Sequence, residues 1–169
     1  MLIVADSSAL VALALCGGLE LLDRLFEDVR VPQAVYDEVA VEGKAAAQVL
    51  QMYLQGKVVS VPLESVVITG AGLGRGEIEA MALYKSACAD CLLIDDSRAR
   101  KVARLNQISI TGSQGILLLA KHRGLISHVR PYLERFQNTE IRISERLIQR
   151  TLALAEEQDN KQLVLGQIR

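Results

Sequence analysis

Leu2-Ile3-Val4-Ala5-Asp6 and Cys91-Leu92-Leu93-Ile94-Asp95-Asp96 decide the reading of this chain. Each is a four-residue apolar run, too short for a helix, that stops on a carboxylate. Uninterrupted apolar runs of this length suit strands buried on both faces of a parallel sheet, whereas a strand with one wet face alternates. Asp6, Asp95 and Asp96 then stand at strand C-termini, the edge where open α/β sheets bind their ligands. Glu38 and Glu77 lie in helical segments that follow a short β-like run and a glycine-rich stretch, which directs them toward the same edge. Carboxylates gathered in this way repel one another and need a counter-charge. Hard divalent cations such as Mg²⁺ or Mn²⁺ supply it through oxygen ligands.

The same alternation continues on both sides of these runs. Asp6 or Ser7 caps a helix over 7–15, and Gly17-Gly18 ends it. A short helix over 19–26 and a strand over 29–31 follow. Pro32, tolerated in a first helical turn, opens the helix that carries Tyr36 and Glu38. The pattern then predicts a helix over 44–54, a strand over 58–61, a helix over 77–87, a strand ending at Asp95 and a helix over 97–105. A last strand over 108–110 precedes helices over 116–122, 129–136 and 144–156. Repeated β-α order predicts an α/β fold with a parallel sheet and helices on both faces. Gly70, Gly72, Gly74 and Gly76 alternate, which matches neither a dinucleotide-binding nor a phosphate-loop spacing. What that turn offers is Glu77 at a helix N-terminus, where the dipole favours the ionised form.

Composition bounds the rest. With 169 residues, half of them hydrophobic, the chain suits one well-buried domain. No basic region precedes the first apolar run, and Gly17-Gly18 and Glu20 break the longest one, so neither an export signal nor a membrane span is expected. The expectation is a cytoplasmic protein. Three cysteines argue against a disulfide framework. Cys88 and Cys91 form C-x-x-C between a helix end and a strand start, not at the helix N-terminus that favours thiolate, and Cys16, His122 and His128 offer no paired zinc spacing. Buried small hydrophobes are the better reading of all three cysteines. The net charge of −1 conceals a division: residues 1–96 carry 14 acids and 6 bases, residues 97–169 carry 6 acids and 13 bases. An acidic half beside a basic half suits a metal-dependent enzyme for polyanions. Arg98, Arg100, Lys101 and Arg104, and again Arg142, Arg146 and Arg150, also read as the wet faces of two helices.

Four stretches carry a family resemblance. Asp6-Ser7-Ser8, Val31-Pro32-Gln33-Ala34-Val35-Tyr36-Asp37-Glu38-Val39, Gly76-Glu77-Ile78-Glu79-Ala80-Met81-Ala82-Leu83 and Leu93-Ile94-Asp95-Asp96-Ser97-Arg98-Ala99-Arg100 resemble, in order, the motifs of PIN-domain nucleases. Thr111-Gly112-Ser113-Gln114-Gly115-Ile116-Leu117, with Ala120-Lys121-His122-Arg123-Gly124-Leu125, is similar to a little-characterised prokaryotic branch related to VapC-type toxins. The likeness covers nearly the whole chain. It implies a three-layer α/β/α PIN-like domain over 1–157, with a central parallel sheet of about five strands and a C-terminal helix, and a flexible tail over 158–169.

The resemblance also implies a Mg²⁺- or Mn²⁺-dependent ribonuclease that hydrolyses phosphodiester bonds. Asp6, Glu38, Glu77 and Asp96 would take the family's catalytic acidic positions, with Asp95 as a further metal ligand. Many members have aspartate where Glu77 stands and Thr-x-Asp where this chain has Ile94-Asp95-Asp96. Ser7 would bond a ligand or the attacking water, and Arg98 or Arg100 would contact a phosphate of the RNA substrate. Further expectations are an antitoxin partner, as for related toxins, and a homodimer through the apolar positions Ile141, Ile143, Leu147, Ile148, Leu152 and Leu154. Taken singly, each acid has a plainer account: Asp6 and Asp95-Asp96 as helix caps, Glu38 and Glu79 as solvated helix residues. Two alternatives stay open. One is a catalytically inactive nucleic-acid- or partner-binding protein; the other is a receiver-like domain, although such domains end their first strand in an acidic pair and this one ends in Asp6-Ser7.

Overall fold

The computed structural model describes residues 1–61, 67–137, 139 and 143–157. The tail expected over 158–169, and Ile141 and Arg142, lie outside the described residues. The elements are β1 (Leu2–Ala5), α1 (Ser7–Cys16), α2 (Glu20–Leu25), β2 (Asp28–Pro32), α3 (Gln33–Val39), α4 (Ala47–Tyr53) and β3 (Val58–Val59). They continue as α5 (Arg75–Ser86), β4 (Cys91–Leu93), α6 (Ser97–Leu105), β5 (Ile110–Thr111), α7 (Ser113–His122), α8 (Arg130–Gln137) and α9 (Glu145–Leu154).

The five strands pair in the order β3-β2-β1-β4-β5, all parallel. From β1 the chain winds outward through β2 to β3, then crosses back to β4 and on to β5. Right-handed crossovers put helices on one face while the chain moves one way and on the other face once it reverses. Accordingly α5 packs on β1, β2 and β4, α1 packs with α4, α7 and α8, and α3 lies between them, in contact with both α1 and α5. The result is the expected three-layer α/β/α sandwich with a five-stranded parallel sheet. Among the described residues no helix is long and apolar enough to cross a membrane.

The two opening runs are the centre of the sheet. Ile3, Val4, Ala5, Leu92, Leu93 and Ile94 are wholly buried, and Leu10, Leu13, Leu21 and Leu22 cover them from the α1–α2 side. Each fully buried aliphatic side chain of this kind contributes roughly 1.5–3 kcal/mol of transfer free energy. Ala5 pairs with Leu93, and Leu93 with Thr111, so the strands end level. Asp6 and Ile94-Asp95 emerge side by side where the winding direction reverses, with the Asp6 N–H donating to Leu93 O at 2.9 Å.

Several boundaries differ from the pattern-based expectation. β4 ends at Leu93, before the acids, and β3 covers only Val58–Val59. The last strand is Ile110–Thr111, one step later than expected, and α7 begins at Ser113, three residues early, because an extended Gly112 serves as its N-cap. α5 begins at Arg75, so Glu77 is its third residue; first-turn N–H groups lack intrahelical partners, which lets Gly76 sit there at little cost. α4 starts at Ala47 after a left-handed Ala46, and Pro32 closes β2 as the N-cap of α3. The reading of the cysteines as buried holds for Cys16 only. Cys91 is half-buried, and Cys88 is exposed in a positive-φ turn after α5. On α9, Ile148 and Leu152 pack inward while Leu147 and Leu154 face solvent.

Glu157 ties the end of the described chain to the domain. Its carboxylate accepts from Lys121 Nζ at 2.7 Å, Val129 N at 2.7 Å and Arg130 N at 2.9 Å. Burial pushes its pKa up, but these donors outweigh burial and hold it below its ordinary value. A carboxyl with a depressed folded-state pKa stabilises above its unfolded pKa and loses that contribution as pH falls through the folded value. Glu157→Gln is therefore expected to cost about 1–3 kcal/mol in urea unfolding at pH 7. The difference from the parent protein should shrink below pH 4.

Candidate functional site

A cavity of about 780 Å³ opens at the C-terminal edge of the sheet, above the β1/β4 switch. Its wall includes Asp6, Glu38, Glu77, Asp95 and Asp96, contributed by β1, α3, α5 and the β4–α6 junction, with Ser7, Ser8, Lys44 and Arg98. All five acids singled out from the sequence line this one space, as does Arg98. Arg100 does not: its Nη1 donates to Ile94 O at 2.7 Å, and its side chain faces a neighbouring cavity. Burial and the nearby Arg104 hold Arg100 below its ordinary pKa, against the pull of Asp95.

Backbone N–H groups at helix N-termini hold every one of these carboxylates. Asp6 caps α1, with Oδ2 accepting from Ser8 N at 3.2 Å and Ser8 Oγ at 2.7 Å. Glu38 accepts from Gly76 N in the first turn of α5 at 3.2 Å and from Ser7 Oγ at 2.7 Å. Glu77 turns back on the N-cap of its own helix and accepts from Gly74 N at 2.7 Å. Asp95 accepts from Ser113 N, at the start of α7, at 2.8 Å. Asp96 caps α6 through Ala99 N at 2.8 Å. The partial positive charge at each helix start, worth about 0.3–1 kcal/mol per carboxylate, offsets their mutual repulsion.

Asp6 carries the greatest electrostatic stress. It is 1% exposed, and Oδ1 has no hydrogen-bond partner among the described residues. Burial first, and the charge of Glu77 with it, raise its pKa to about 6, although the bonds from Ser8 oppose the shift. A buried, unpartnered carboxylate oxygen on a residue of a carboxylate-lined cavity fits a hard cation as its missing partner. Asp6 through Oδ1, with the remaining oxygens of Glu38, Glu77, Asp95 and Asp96, are the residues that would hold one. Among the described residues no three His, Cys, Asp or Glu side chains already stand together as a metal cage.

Several contributors are not apparent from type and spacing. Ser8, rather than Ser7, holds Asp6, and its Oγ also accepts from Asp95 N at 3.1 Å, linking the two central strands. The i+2 register of side-chain capping is the signal that points to it. Glu79, read above as a solvated residue, is buried, accepting from Ala34 N at 3.1 Å and Arg75 Nε at 2.8 Å, and so locks α3 against α5. Gly76 and Gly112 provide room: a Cβ would stand 2.6 Å from Glu38 Oε1 at the first and 2.6 Å from Asp95 Oδ1 at the second.

The family model for DUF3368, described as a PIN domain, matches residues 2–157 of the chain. No curated protein and no solved structure matches it.

An acid whose folded-state pKa is raised destabilises the fold above that value, and the penalty disappears as pH falls toward its unfolded pKa. Asp6→Asn keeps an acceptor for Ser8 and removes the buried charge. In EDTA at pH 7.5 it is expected to unfold at a higher temperature than the parent, by up to about 2–3 kcal/mol of added stability. The gain should vanish near pH 4. A lower melting temperature at pH 7.5 would show that the Asp6 charge is compensated in the metal-free protein.

Proposed function

We propose, on the premise that the chain belongs to the PIN-domain family, that it is a divalent-metal-dependent ribonuclease. PIN domains are in general nucleases that use divalent metal ions. The observation that carries the proposal is the convergence of five carboxylates from separate parts of the chain on one cavity, with Asp6 Oδ1 buried and without a partner.

A bound Mg²⁺ or Mn²⁺ would ionise a water and offset charge on the reacting phosphate. The chain's own residues do the positioning. Ser8 fixes Asp6 by Oδ2 and leaves Oδ1 without a hydrogen-bond partner among the described residues. Ser7 and Gly76 N hold Glu38, and Ser113 N holds Asp95, so both acids keep their aim as substrate arrives. Arg98, exposed on the first turn of α6 and lining the cavity, would contact a phosphate oxygen of the substrate. Among the described residues no histidine lines the cavity, so the carboxylates are the groups that would hold or move a proton there. The preference for RNA, and a role as a toxin restrained by a partner protein, rest on the resemblance of the motifs.

A second reading, a PIN-fold binding protein without turnover, is favoured by the existing engagement of Glu38, Glu77, Asp95 and Asp96 with backbone N–H groups. Two measurements separate them. Mn²⁺ at about 100 times its Kd should stabilise the fold by about 2.7 kcal/mol, and Asp6→Asn should remove most of that gain. Purified protein with Mg²⁺ or Mn²⁺ should cut single-stranded or structured RNA. Asp6→Ala and Asp96→Ala should each lower the rate at least about a hundredfold with the fold retained, as loss of an electrostatic contact in the reaction does. A metal-stabilised protein that cuts no RNA would select the second reading. Full activity of Asp6→Ala would overturn the assignment of the site.

A further inference from the structure

A second cavity, of about 730 Å³, adjoins the acidic one and shares Asp95 and Ala12 with it. Its character is opposite. Arg100 and Arg104 from α6 and Arg150 from α9 line it, with Asp95 at its inner end. Arg100 and Arg104 are four residues apart and share one face of α6, whereas Arg98 serves the acidic cavity, so this helix divides the two spaces. None of the three lining arginines belongs to an ion pair among the described residues. The remaining wall is mixed: Thr111, Ser113, Gln114 and Thr151 supply polar groups, while Leu118 from α7 and Leu147 and Leu154 from α9, the last two 46% and 64% exposed, supply apolar surface.

Arg100 keeps one guanidinium nitrogen on Ile94 O, and Arg104 and Arg150 are in no ion pair among the described residues; with exposed leucines beside them on α9, they fit a ligand that is anionic in one part and flat and apolar in another. A nucleotide within a strand has that form: a phosphodiester for the arginines and a base face for the leucines. We propose that this cavity is a nucleotide subsite, which holds backbone phosphate and base beside the scissile position so that a single strand runs from the acidic cavity past Asp95 to α9. The placement of the scissile bond rests on the nuclease reading above; strand binding does not. The C-terminal helix thereby becomes part of the substrate surface. The absence of Trp and the scarcity of aromatic residues fit aliphatic contact with the base instead of stacking on a ring.

The test is binding of a fluorescein-labelled 12-nucleotide single-stranded RNA to the full chain in EDTA, across a salt series. R104A/R150A should raise Kd at least about tenfold and flatten the slope of log Kd against log salt by about 1.4, the value for two phosphate contacts on a single strand. R24A/R123A removes the same charge from exposed positions outside both cavities and should change Kd less than about twofold. R104K/R150K should keep most of the slope, since Lys still neutralises phosphate as a point charge. Equal affinity of R104A/R150A and parent, or no strand binding by the parent, would overturn the subsite. Polyglutamate of matched charge binding the parent more tightly than the RNA, with the same loss in R104A/R150A, would also overturn it and assign the cavity to an acidic protein partner. Strand binding with the expected variant pattern, but no cutting in Mn²⁺, would reject the nuclease reading while leaving the subsite in place.

Discussion

Five carboxylates coexist at one edge of this sheet because each accepts a hydrogen bond from a backbone N–H at the start of a helix. In a doubly wound parallel fold, helices that follow strands begin at the C-terminal edge, so their positive ends gather where the strands stop. The N-termini of α1, α5, α6 and α7 all reach this edge. Without them, a carboxylate as buried as Asp6 beside Glu77 would bring only its desolvation cost and repulsion. The topology therefore supplies the electrostatic background in which an acidic cavity is tolerable, and the reversal between β1 and β4 supplies the opening.

Two small networks convert that background into a fixed geometry. Ser8 donates to Asp6 and accepts from the backbone of Asp95, so the ends of the two central strands are tied at the point where the acids emerge. Glu79 does the equivalent for the helices: its buried carboxylate joins the start of α3 to Arg75 on α5, and this holds Glu38 against Gly76 N. Gly76 and Gly112 belong to the same arrangement by subtraction, since any side chain there would occupy the space that Glu38 and Asp95 use. The carboxylates thus owe their aim to neighbours within the same motif stretches, Ser8, Gly76, Glu79 and Gly112, whose roles appear only in the packed fold.

The central strands were legible because an unbroken apolar run ending in an acid has few other readings, and α6 was legible to the residue. The edges were not. Two-residue strands such as β3 and β5 carry no periodicity, and Gly112 as an extended N-cap looks like a loop until Ser113 N is seen to bond Asp95. The acids could be grouped from sequence because each follows a strand or opens a helix. Which atoms hold them could not, since the partners are backbone N–H groups that every residue but proline possesses. Glu79 was misread for a related reason: two residues after Glu77, it points to a different face of α5, and only the packing of α3 decides that this face is buried.

The near-neutral net charge hides two adjoining cavities of opposite character, and the proposed readings give that contrast a purpose. A polyanion approaching the acidic cavity of the metal-free protein meets repulsion from five carboxylates, softened at the rim by Arg98 and Lys44. The same polyanion approaching the α6–α9 side meets three arginines with leucines and hydroxyl-bearing side chains between them. Binding and reaction would then draw on different groups: the arginines would hold the strand with or without a cation, and a cation held by the carboxylates would offset the negative charge of the acidic cavity. Salt should weaken the first contribution by screening exposed charges and counterion release, while the buried Asp6 is shielded from it. Asp95 lies where the two spaces meet, held by Ser113 N on one side and joined through its own N–H to the Ser8–Asp6 pair on the other. On the proposed reading, a strand seated in the basic cavity would meet the acidic one at Asp95, whose position is fixed by Ser113 N at the start of α7.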